Sequence, residues 1–433
     1  MTDGDGHWHR LHPLSPVVRA GRALIAVAIL LLPSLAGGRS LVGAAVEVAI
    51  VGLLALAGAV TWLVTRWRLE GDALRIETGL LKRSSLRFPL AQVQAIDVVR
   101  PGVARLFGLA ELRLRMGGST GAHGRLAYLR EHHAEELRAR LLAIAHGAGE
   151  EQTQAVHERV LLSVPTPRLL GSIVLSRTGV HAELLLAGLV AGAVLAPGTA
   201  RAAVGGSGVL YAVGAATVLW RRFNDEYRLT VAEAPDGLRL RSGFVSLTSE
   251  TIPRGRVQAV RMVEPLFWRP FGWCRLEVDI AGKQRKEGEG AAEARQLRAV
   301  LPVGSRRLAA ALLERILPDA PAERLPPPRR VLWKSPLRRH YLAWGRTERC
   351  VVTTSGRVAR VTAWVPLEKV QSLRRVQGPV QRRLRLATIH VDTAGRSVHA
   401  ALRDRDVAEA DAALEELIRL ARAARTGGAR PAA

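Results

Sequence analysis

An arginine recurs at a matching position three times in the chain, as Arg105, Arg269 and Arg382. Each lies eleven residues after a repeated glutamine, in a loop that the surrounding pattern places between two strands. A guanidinium group there could bind a phosphate or a carboxylate through paired, charge-assisted hydrogen bonds. It could also pair with an acid of its own domain and fix the loop. We favour this structural role, and anion binding is the alternative.

Other side chains with catalytic or metal-binding chemistry do not form a recognisable site. Cys274 and Cys350 cannot build a disulfide framework or a zinc ligand set, and they indicate a reducing compartment. His7, His9 and His12 have no carboxylate or thiol beside them to complete a metal site. We therefore predict that the protein is not an enzyme and has no cofactor and no metal.

The repeated arginine belongs to a unit of about 60 residues that occurs three times. When the copies are aligned on their glutamines without gaps, a glycine recurs fifteen residues earlier and a proline five residues earlier. We predict a structural role for these positions, because a turn that enters a strand needs a fixed φ and a side-chain amide partner. The repeated residues are Gly79, Pro89 and Gln94, then Gly243, Pro253 and Gln258, then Gly356, Pro366 and Gln371.

Within each unit the apolar residues alternate with polar ones, as in ALRIETG from residue 73 and ELRLRMG from residue 111. A period of two predicts half-buried antiparallel strands. Each unit then ends in an amphipathic helix, at residues 131–145, 305–317 and 406–424. Antiparallel strands followed by one helix predict a small barrel or sandwich that the helix closes at one end.

Two pairs of apolar segments predict transmembrane helical hairpins, at residues 23–36 with 41–65 and at 182–197 with 202–220. These segments have about the length and composition needed to cross ~30 Å of hydrocarbon. Arginines flank the hairpins and are sparse in their turns, so the positive-inside bias predicts a multi-pass protein of the cell membrane with cytoplasmic soluble domains. Glu47 would be an intramembrane carboxylate, although snorkelling or a helix–helix hydrogen bond explains it more simply than function.

Two stretches resemble the bacterial PH-like domain of the YdbS/YdbT-like membrane proteins. They are GLLKRSSLRFPLAQVQAIDVVRPGVARLFGLAELRLRMGG, from residue 79, and WVPLEKVQSLRRVQGPVQRRLRLATIHVDTAG, from residue 364. The resemblance covers nearly the whole chain. It implies a pleckstrin-homology-type fold, no catalytic residues and a ligand that is not established for the family.

The third copy departs from the other two. Arg385 stands where they have Gly108 and Gly272, so we expect that turn to differ. The third copy also lacks a preceding hairpin and follows a basic segment with aromatic residues, 325–345. This segment could lie on an anionic membrane leaflet, or it could simply lead into the first strand of the third unit.

The predicted fold class is an α+β membrane protein with two transmembrane helical hairpins and three PH-like domains, each an antiparallel β-barrel or sandwich with a C-terminal helix. The predicted order is an N-terminal tail (1–18), the first hairpin (19–65), PH-like domain 1 (66–147), a linker (148–181), the second hairpin (182–220), PH-like domain 2 (221–317), a Pro-rich basic linker (318–337), PH-like domain 3 (338–424) and a C-terminal tail (425–433).

The charge balance suggests an anionic partner, because 63 Lys and Arg face 38 Asp and Glu, for a net charge of +25. The strands lack aromatic residues interleaved with basic ones, so we do not expect nucleic acid. We predict a non-enzymatic scaffold that presents PH-like domains to membrane lipids, a peptide, a partner protein or another copy, with envelope homeostasis or stress response as its setting. The alternative is a small-molecule transporter or enzyme component that uses the Gly/Ala-rich hairpins and Glu47.

Overall fold

The computed structural model describes the greater part of the chain. The described residues are 8–15, 18, 52–53, 56, 60, 62–71, 73–79, 84–116, 123–145, 159–195, 198–234, 237–253, 255–280, 297–320, 324–395 and 397–427. Most of the first predicted hairpin, including Glu47, lies outside them.

The strands cover the repeated units as the alternation predicts. They are β1 (His9–Arg10), β2 (Arg66–Glu70), β3 (Ala73–Thr78), β4 (Ser84–Pro89), β5 (Val93–Arg100), β6 (Leu109–Met116), β7 (His123–Arg130), β8 (Arg159–Ser163), β9 (Thr230–Ala234), β10 (Gly237–Ser242), β11 (Leu247–Pro253), β12 (Val257–Pro265), β13 (Trp273–Ile280), β14 (Leu297–Ser305), β15 (Ala343–Arg346), β16 (Cys350–Ser355), β17 (Ala359–Pro366), β18 (Val370–Val376), β19 (Leu386–Thr393) and β20 (Ala400–Asp406).

The described helices include the three that were predicted to end the repeats. They are α1 (Gly102–Leu106), α2 (Glu131–Ala145), α3 (Thr166–Val174), α4 (Arg177–Leu195), α5 (Gly198–Glu226), α6 (Arg306–Ile316), α7 (Val331–Lys334), α8 (Pro379–Arg383) and α9 (Val407–Gly427). The predictions of a terminal helix in each repeat are confirmed by α2, α6 and α9.

The chain divides into two compact units. Unit 1 comprises Met1–Arg159 with Ala232–Pro253, and unit 2 comprises Val160–Val231 with Arg254–Ala433. In unit 1, one sheet has the strand order β1-β2-β3-β4, and a second contains the order β7-β6-β5-β11-β10. In unit 2, one sheet has the order β14-β13-β12-β17-β16-β15, and another has the order β18-β19-β20. The division into units does not follow the boundaries between repeats, because unit 1 includes part of the second repeat.

The core of unit 1 lies where the alternation of β3 and β6 predicts. Leu74 and Ile76 of β3 are buried, and so are Leu112 and Leu114 of β6. Leu141 of α2 joins the same apolar cluster, so the helix covers the inner face of the sheets. Burial of these side chains is the main stabilising contribution, at roughly 1.5–3 kcal/mol for each large one.

Helix α9 packs on the core of the third repeat through one stripe. Ala410, Leu417 and Ala421 are buried at helical spacing and join a cluster with Ile389 of β19 and Leu402 of β20. Spacings of seven and four residues place the three side chains on one face of an α-helix. The amphipathic pattern of the sequence therefore describes this helix correctly.

The predicted fold class is wrong in its membrane part. Among the described residues, no single helix is both long enough and apolar enough to cross a membrane. The apolar run of α4 begins only after Glu183 and lasts about a dozen residues, short of the ~20 that a span requires. Only the bent pair Thr166–Val174 and Arg177–Gly192, with a 59° angle at the break, meets the length and composition criteria together. The structure is mixed α and β with several antiparallel sheets, which is compatible with PH-like domains.

Candidate functional site

Successive repeats are joined through strand pairing, and the first junction lies in unit 1. Strand β5 of the first repeat pairs antiparallel with β11 of the second, and Val98 lies opposite Ser249. Buried Arg138 of α2 reaches across this junction: its Nε donates to the Ile96 carbonyl oxygen at 3.1 Å, and its Nη2 lies 3.3 Å from Thr251 Oγ1. Side chains thus reinforce the pairing between repeats.

The second junction lies in unit 2 and has the same register. Strand β12 of the second repeat pairs antiparallel with β17 of the third, and Met262 lies opposite Thr362. Val98 and Met262 both lie four residues after a repeated glutamine, and Ser249 and Thr362 both lie nine residues before the next one. The two junctions are therefore copies of one arrangement.

The repeated arginine makes equivalent contacts at both junctions. Arg105 Nη1 donates to the carbonyl oxygen of Phe244 at 3.0 Å, and Arg269 Nη2 donates to the carbonyl oxygen of Arg357 at 2.7 Å. Phe244 and Arg357 each follow a repeated glycine directly. The predicted loop is a short helical turn in both copies, since Arg105 lies in α1 and Arg269 lies in a 3-10 helix, Leu266–Phe271. Each arginine therefore attaches the helical turn after β5 or β12 to the turn that precedes the strand paired with it.

The third arginine, Arg382, is exposed on α8. Within the part of the chain that the structure describes, we see no hydrogen bond from its guanidinium group. Strand β18, the equivalent of β5 and β12, is at the edge of its sheet and has β19 as its neighbour. The same residue type therefore stands in two junctions and beside one open strand edge.

Arg385 adopts the turn conformation of the glycines that it replaces. Its φ is +50°, close to +63° at Gly108 and +62° at Gly272. The main-chain hydrogen bond is also kept, because the N–H of Arg385 donates to Arg382 O at 3.1 Å and that of Gly108 donates to Arg105 O at 3.1 Å. The expectation that this turn differs in the third copy is wrong. The arginine accepts a left-handed backbone that glycine adopts more easily.

Gly243 and Gly356 lie in the turns that lead into the junction strands β11 and β17, and Gly79 directly follows β3 at the equivalent position. Gly79, Gly243 and Gly356 have φ of +103°, +126° and +96°. A Cβ atom at Gly243 would lie 1.9 Å from Ser246 O, and one at Gly356 would lie 2.0 Å from Ala359 O. Both the dihedral angle and the close approach of the main chain require glycine here.

The repeated prolines end the strands that follow these turns. Pro89, Pro253 and Pro366 are the last residues of β4, β11 and β17. Pro89 and Pro366, with φ of −61°, also begin a short 3-10 turn. These positions match the predicted turn that enters the next strand.

The repeated glutamines differ from one another in their surroundings. The Gln258 side chain is buried, with its Nε2 3.4 Å from Arg256 O, whereas that of Gln371 is exposed. The side chain of Gln94 lies outside the described residues. The amide partner that the sequence suggested is thus seen at Gln258.

The basic segment before the third repeat is partly structural. Trp344 is buried in β15, and its Nε1 donates to Glu409 Oε1 at 3.1 Å. The Tyr341 ring lies 5.8 Å from the guanidinium carbon of Arg269. Trp333 is different, since it is 85% exposed. The segment therefore leads into β15 and also presents an aromatic side chain to solvent.

Charge and apolar surface occur together around Trp333. Leu337 is 62% exposed four residues later, and Arg329 and Arg338 are exposed on either side. Lys334 is already paired, with its Nζ 2.5 Å from Asp404 Oδ1. The exposed part of this segment thus includes an indole, three leucines (Leu325, Leu332 and Leu337) and the two arginines.

Both cysteines are buried and free. Desolvation raises the pKa of the Cys274 thiol to about 12, and it raises that of Cys350 to about 12 as well. Both therefore carry their proton at neutral pH, and a protonated thiol is a poor nucleophile. Among the described residues we find no group of His, Cys, Asp and Glu that could hold a metal ion. His9 instead stacks on Trp67, with ring centroids 4.7 Å apart.

Sequence reasoning missed the acceptors of the repeated arginines. They are the carbonyl oxygens of Phe244 and Arg357, and a carbonyl group is present at every residue, so residue type gives no signal. The signal in the sequence that could have indicated this contact was the constant spacing of arginine and glycine in all three copies.

The sequence model of a bacterial PH domain matches the chain three times, at residues 22–145, 174–320 and 308–421. The comparisons with curated proteins and with solved structures gave no match. The three matches follow the three repeats that the glutamines define.

Proposed function

Because these matches cover most of its length, the chain belongs to the bacterial PH domain family, and we propose that it is a non-enzymatic scaffold that works at an anionic membrane surface. Its PH-like repeats act as binding modules for lipid, peptide or protein partners. The narrower resemblance to the YdbS/YdbT-like group agrees with this role, and assignment to that group stays a prediction.

The exposure of Trp333 supports the membrane part of this proposal. An indole that is 85% exposed loses little by entering the interfacial region of a bilayer, where its ring and its N–H both find suitable surroundings. The exposed Arg329 and Arg338 would face anionic headgroups, with about 1 kcal/mol expected for each basic residue near such a surface. A net charge of +25 adds long-range attraction of the same sign.

Co-sedimentation of the full chain with liposomes tests this proposal. We expect binding to phosphatidylglycerol-rich liposomes, little binding to phosphatidylcholine liposomes, and weaker binding of Trp333→Ala and Arg338→Ala to the anionic ones. Phe267→Ala is a matched control, because Phe267 is 45% exposed and lies outside the segment. If Trp333→Ala sediments like the unchanged chain while both variants remain folded, this segment does not contact the membrane.

A further inference from the structure

Strand β18 occupies the position in the third repeat that β5 and β12 occupy in the first two. Both of those strands pair on their outer side with a strand of the following repeat, in one register. Among the described strands, β18 has β19 as its neighbour on one side and no strand on the other. A strand edge offers unpaired N–H and C=O groups that can bind another extended chain. Within the described residues, the junction is therefore formed twice, and the equivalent strand of the third repeat has no second strand paired with it.

The open edge carries more exposed positive charge than the occupied edges. Arg375 stands where Val98 and Met262 stand in the other copies, and its Nε lies 2.7 Å from Asp411 Oδ1. Arg374 is 62% exposed, although its Nε lies 2.8 Å from Asp392 Oδ2. Charged residues on an edge discourage indiscriminate pairing between strands. They also favour an incoming strand of opposite charge.

Arg382 completes the arrangement beside this edge. At the two filled junctions, which are β5 with β11 and β12 with β17, its equivalents donate to a carbonyl oxygen of the following repeat. The distances are 3.0 Å from Arg105 Nη1 to Phe244 O and 2.7 Å from Arg269 Nη2 to Arg357 O. Arg382 and its neighbour Arg383 are exposed at the same place in the third repeat. A donor for the main chain of an incoming strand is therefore already in position.

We propose that the outer edge of β18, with Arg382, binds an extended acidic segment of a partner protein as an added antiparallel strand. Main-chain hydrogen bonds to β18 supply affinity, and carboxylates facing the arginines supply selectivity. The inference rests on the scaffold role proposed above, and it specifies the kind of segment that the third repeat binds.

Charge argues against a second copy of this chain as the occupant. The equivalent of β11 and β17 in the first repeat is β4, which would place Ser85 opposite Arg375 in the common register. Arg87 lies in β4, and Lys82 and Arg83 precede it in the sequence. A basic strand would therefore approach a basic edge, which disfavours encounter.

The filled junction suggests the probe. Residues 243–253, GFVSLTSETIP, form the strand that β5 accepts, and in the common register Glu250 and Ser249 would face Arg374 and Arg375. The test uses a fluorescent peptide GFVSLTEETIP, which carries Ser249→Glu, and a control GFVSLTKKTIP with lysine at both positions. Fluorescence anisotropy with the full chain reports binding. We expect the acidic peptide to bind at least about tenfold more tightly than the basic one, and Arg382→Ala to weaken it about fivefold.

Two controls separate strand addition from general attraction of charges. Arg349→Ala removes an equal charge from a side chain that is 79% exposed in the turn before β16, and should leave the affinity unchanged. Peptides that are N-methylated at odd or at even positions test the hydrogen bonds, because only alternate N–H groups face the neighbouring strand. Only one of the two sets should abolish binding.

Several results would overturn the proposal. These are equal affinity of the two N-methylated peptides, equal losses in Arg382→Ala and Arg349→Ala, or no binding of the acidic peptide. Dimerisation of the full chain that Arg382→Ala abolishes, measured by light scattering, would show a second copy as the occupant instead. Arg382→Ala should still sediment with anionic liposomes, so failure here is distinguishable from failure of the membrane role.

Discussion

Arg269 Nη2 lies 2.7 Å from the carbonyl oxygen of Arg357, and this hydrogen bond joins two repeats across 88 residues of sequence. Arg105 makes the same contact with Phe244 in the preceding junction. Because the acceptor is the main chain, the partner side chain is free to vary, as Phe and Arg do here. The repeated arginine thus contributes to how the repeats are joined, whatever else Arg382 binds.

Arg269→Ala should weaken the second junction. The hydrogen bond is charge-assisted but solvent-exposed, so we expect a loss of about 1 kcal/mol in the free energy of unfolding. Hydrogen exchange should also become faster in β17, the strand that this junction holds. Arg382→Ala is the matched control and should not change stability. Equal losses in the two variants would contradict the idea that only the filled junctions use this residue.

Arg385→Gly should stabilise the protein. Arg385 has φ of +50°, which costs about 1–2 kcal/mol for a residue with a Cβ atom. Glycine removes this strain, but its greater freedom in the unfolded chain opposes folding and offsets part of the gain. We expect a net gain of about 0.5–1 kcal/mol, measured by urea unfolding. Arg383→Gly, in helix α8, should instead lower stability. A lower unfolding midpoint for Arg385→Gly would mean that its side chain makes a contact worth more than the strain.

The alternation of apolar residues predicted the strands and the terminal helices correctly, because burial on one face leaves a periodic trace in the sequence. Leu74 and Ile76 show this for a strand, and Leu417 shows it for a helix. The pairing of one strand with another leaves no such periodic pattern in the sequence. Val98 opposite Ser249 satisfies the same burial pattern as a pairing within its own repeat would. The sequence allowed the repeats to bind each other, but it did not show which strands they share.

The prediction of the second membrane hairpin was wrong for a related reason. Mean hydropathy over a segment registers Gly and Ala as apolar, yet it does not fix where a helix begins or which polar residues it includes. Helix α4 begins at Arg177 and contains His181 and Glu183, which shortens its apolar part. For the candidate site, sequence spacing identified the arginines, while their carbonyl acceptors are set by how the repeats pair in the fold.

Gly356→Ala should be strongly destabilising. A Cβ atom there would lie 2.0 Å from Ala359 O, and the φ of +96° is unfavourable for alanine as well. We expect a loss of more than about 2 kcal/mol in urea unfolding, since the main chain of the hairpin must move. Gly272→Ala is the control, because its φ is +62° but no atom lies within 4 Å of the added Cβ. That variant should lose only about 1 kcal/mol. Similar losses in both would show that close approach contributes little.

Asp279 and Asp392, which occupy equivalent positions in the second and third repeats, should affect stability with opposite dependence on pH. Burial raises the pKa of Asp279 above its ordinary value of 3.8, although the N–H groups of Ser397 and Val398 donate to its Oδ2 at 3.2 Å each. The hydrogen bond from Arg374 lowers the pKa of Asp392 below 3.8, against the opposing effect of desolvation.

The sign of each effect follows from linkage. A raised pKa in the folded state means that the charged Asp279 costs stability at neutral pH, and that this cost disappears as the pH falls through the folded pKa toward 3.8. Asp392 contributes stability above pH 3.8, and that contribution is lost as the pH falls through its lowered pKa. Urea unfolding of Asp279→Asn and Asp392→Asn between pH 7 and pH 3 measures both. As the pH falls, the unchanged chain should gain stability relative to Asp279→Asn and lose it relative to Asp392→Asn. Parallel trends in the two variants would show that the buried position of Asp279 at the junction does not set its protonation.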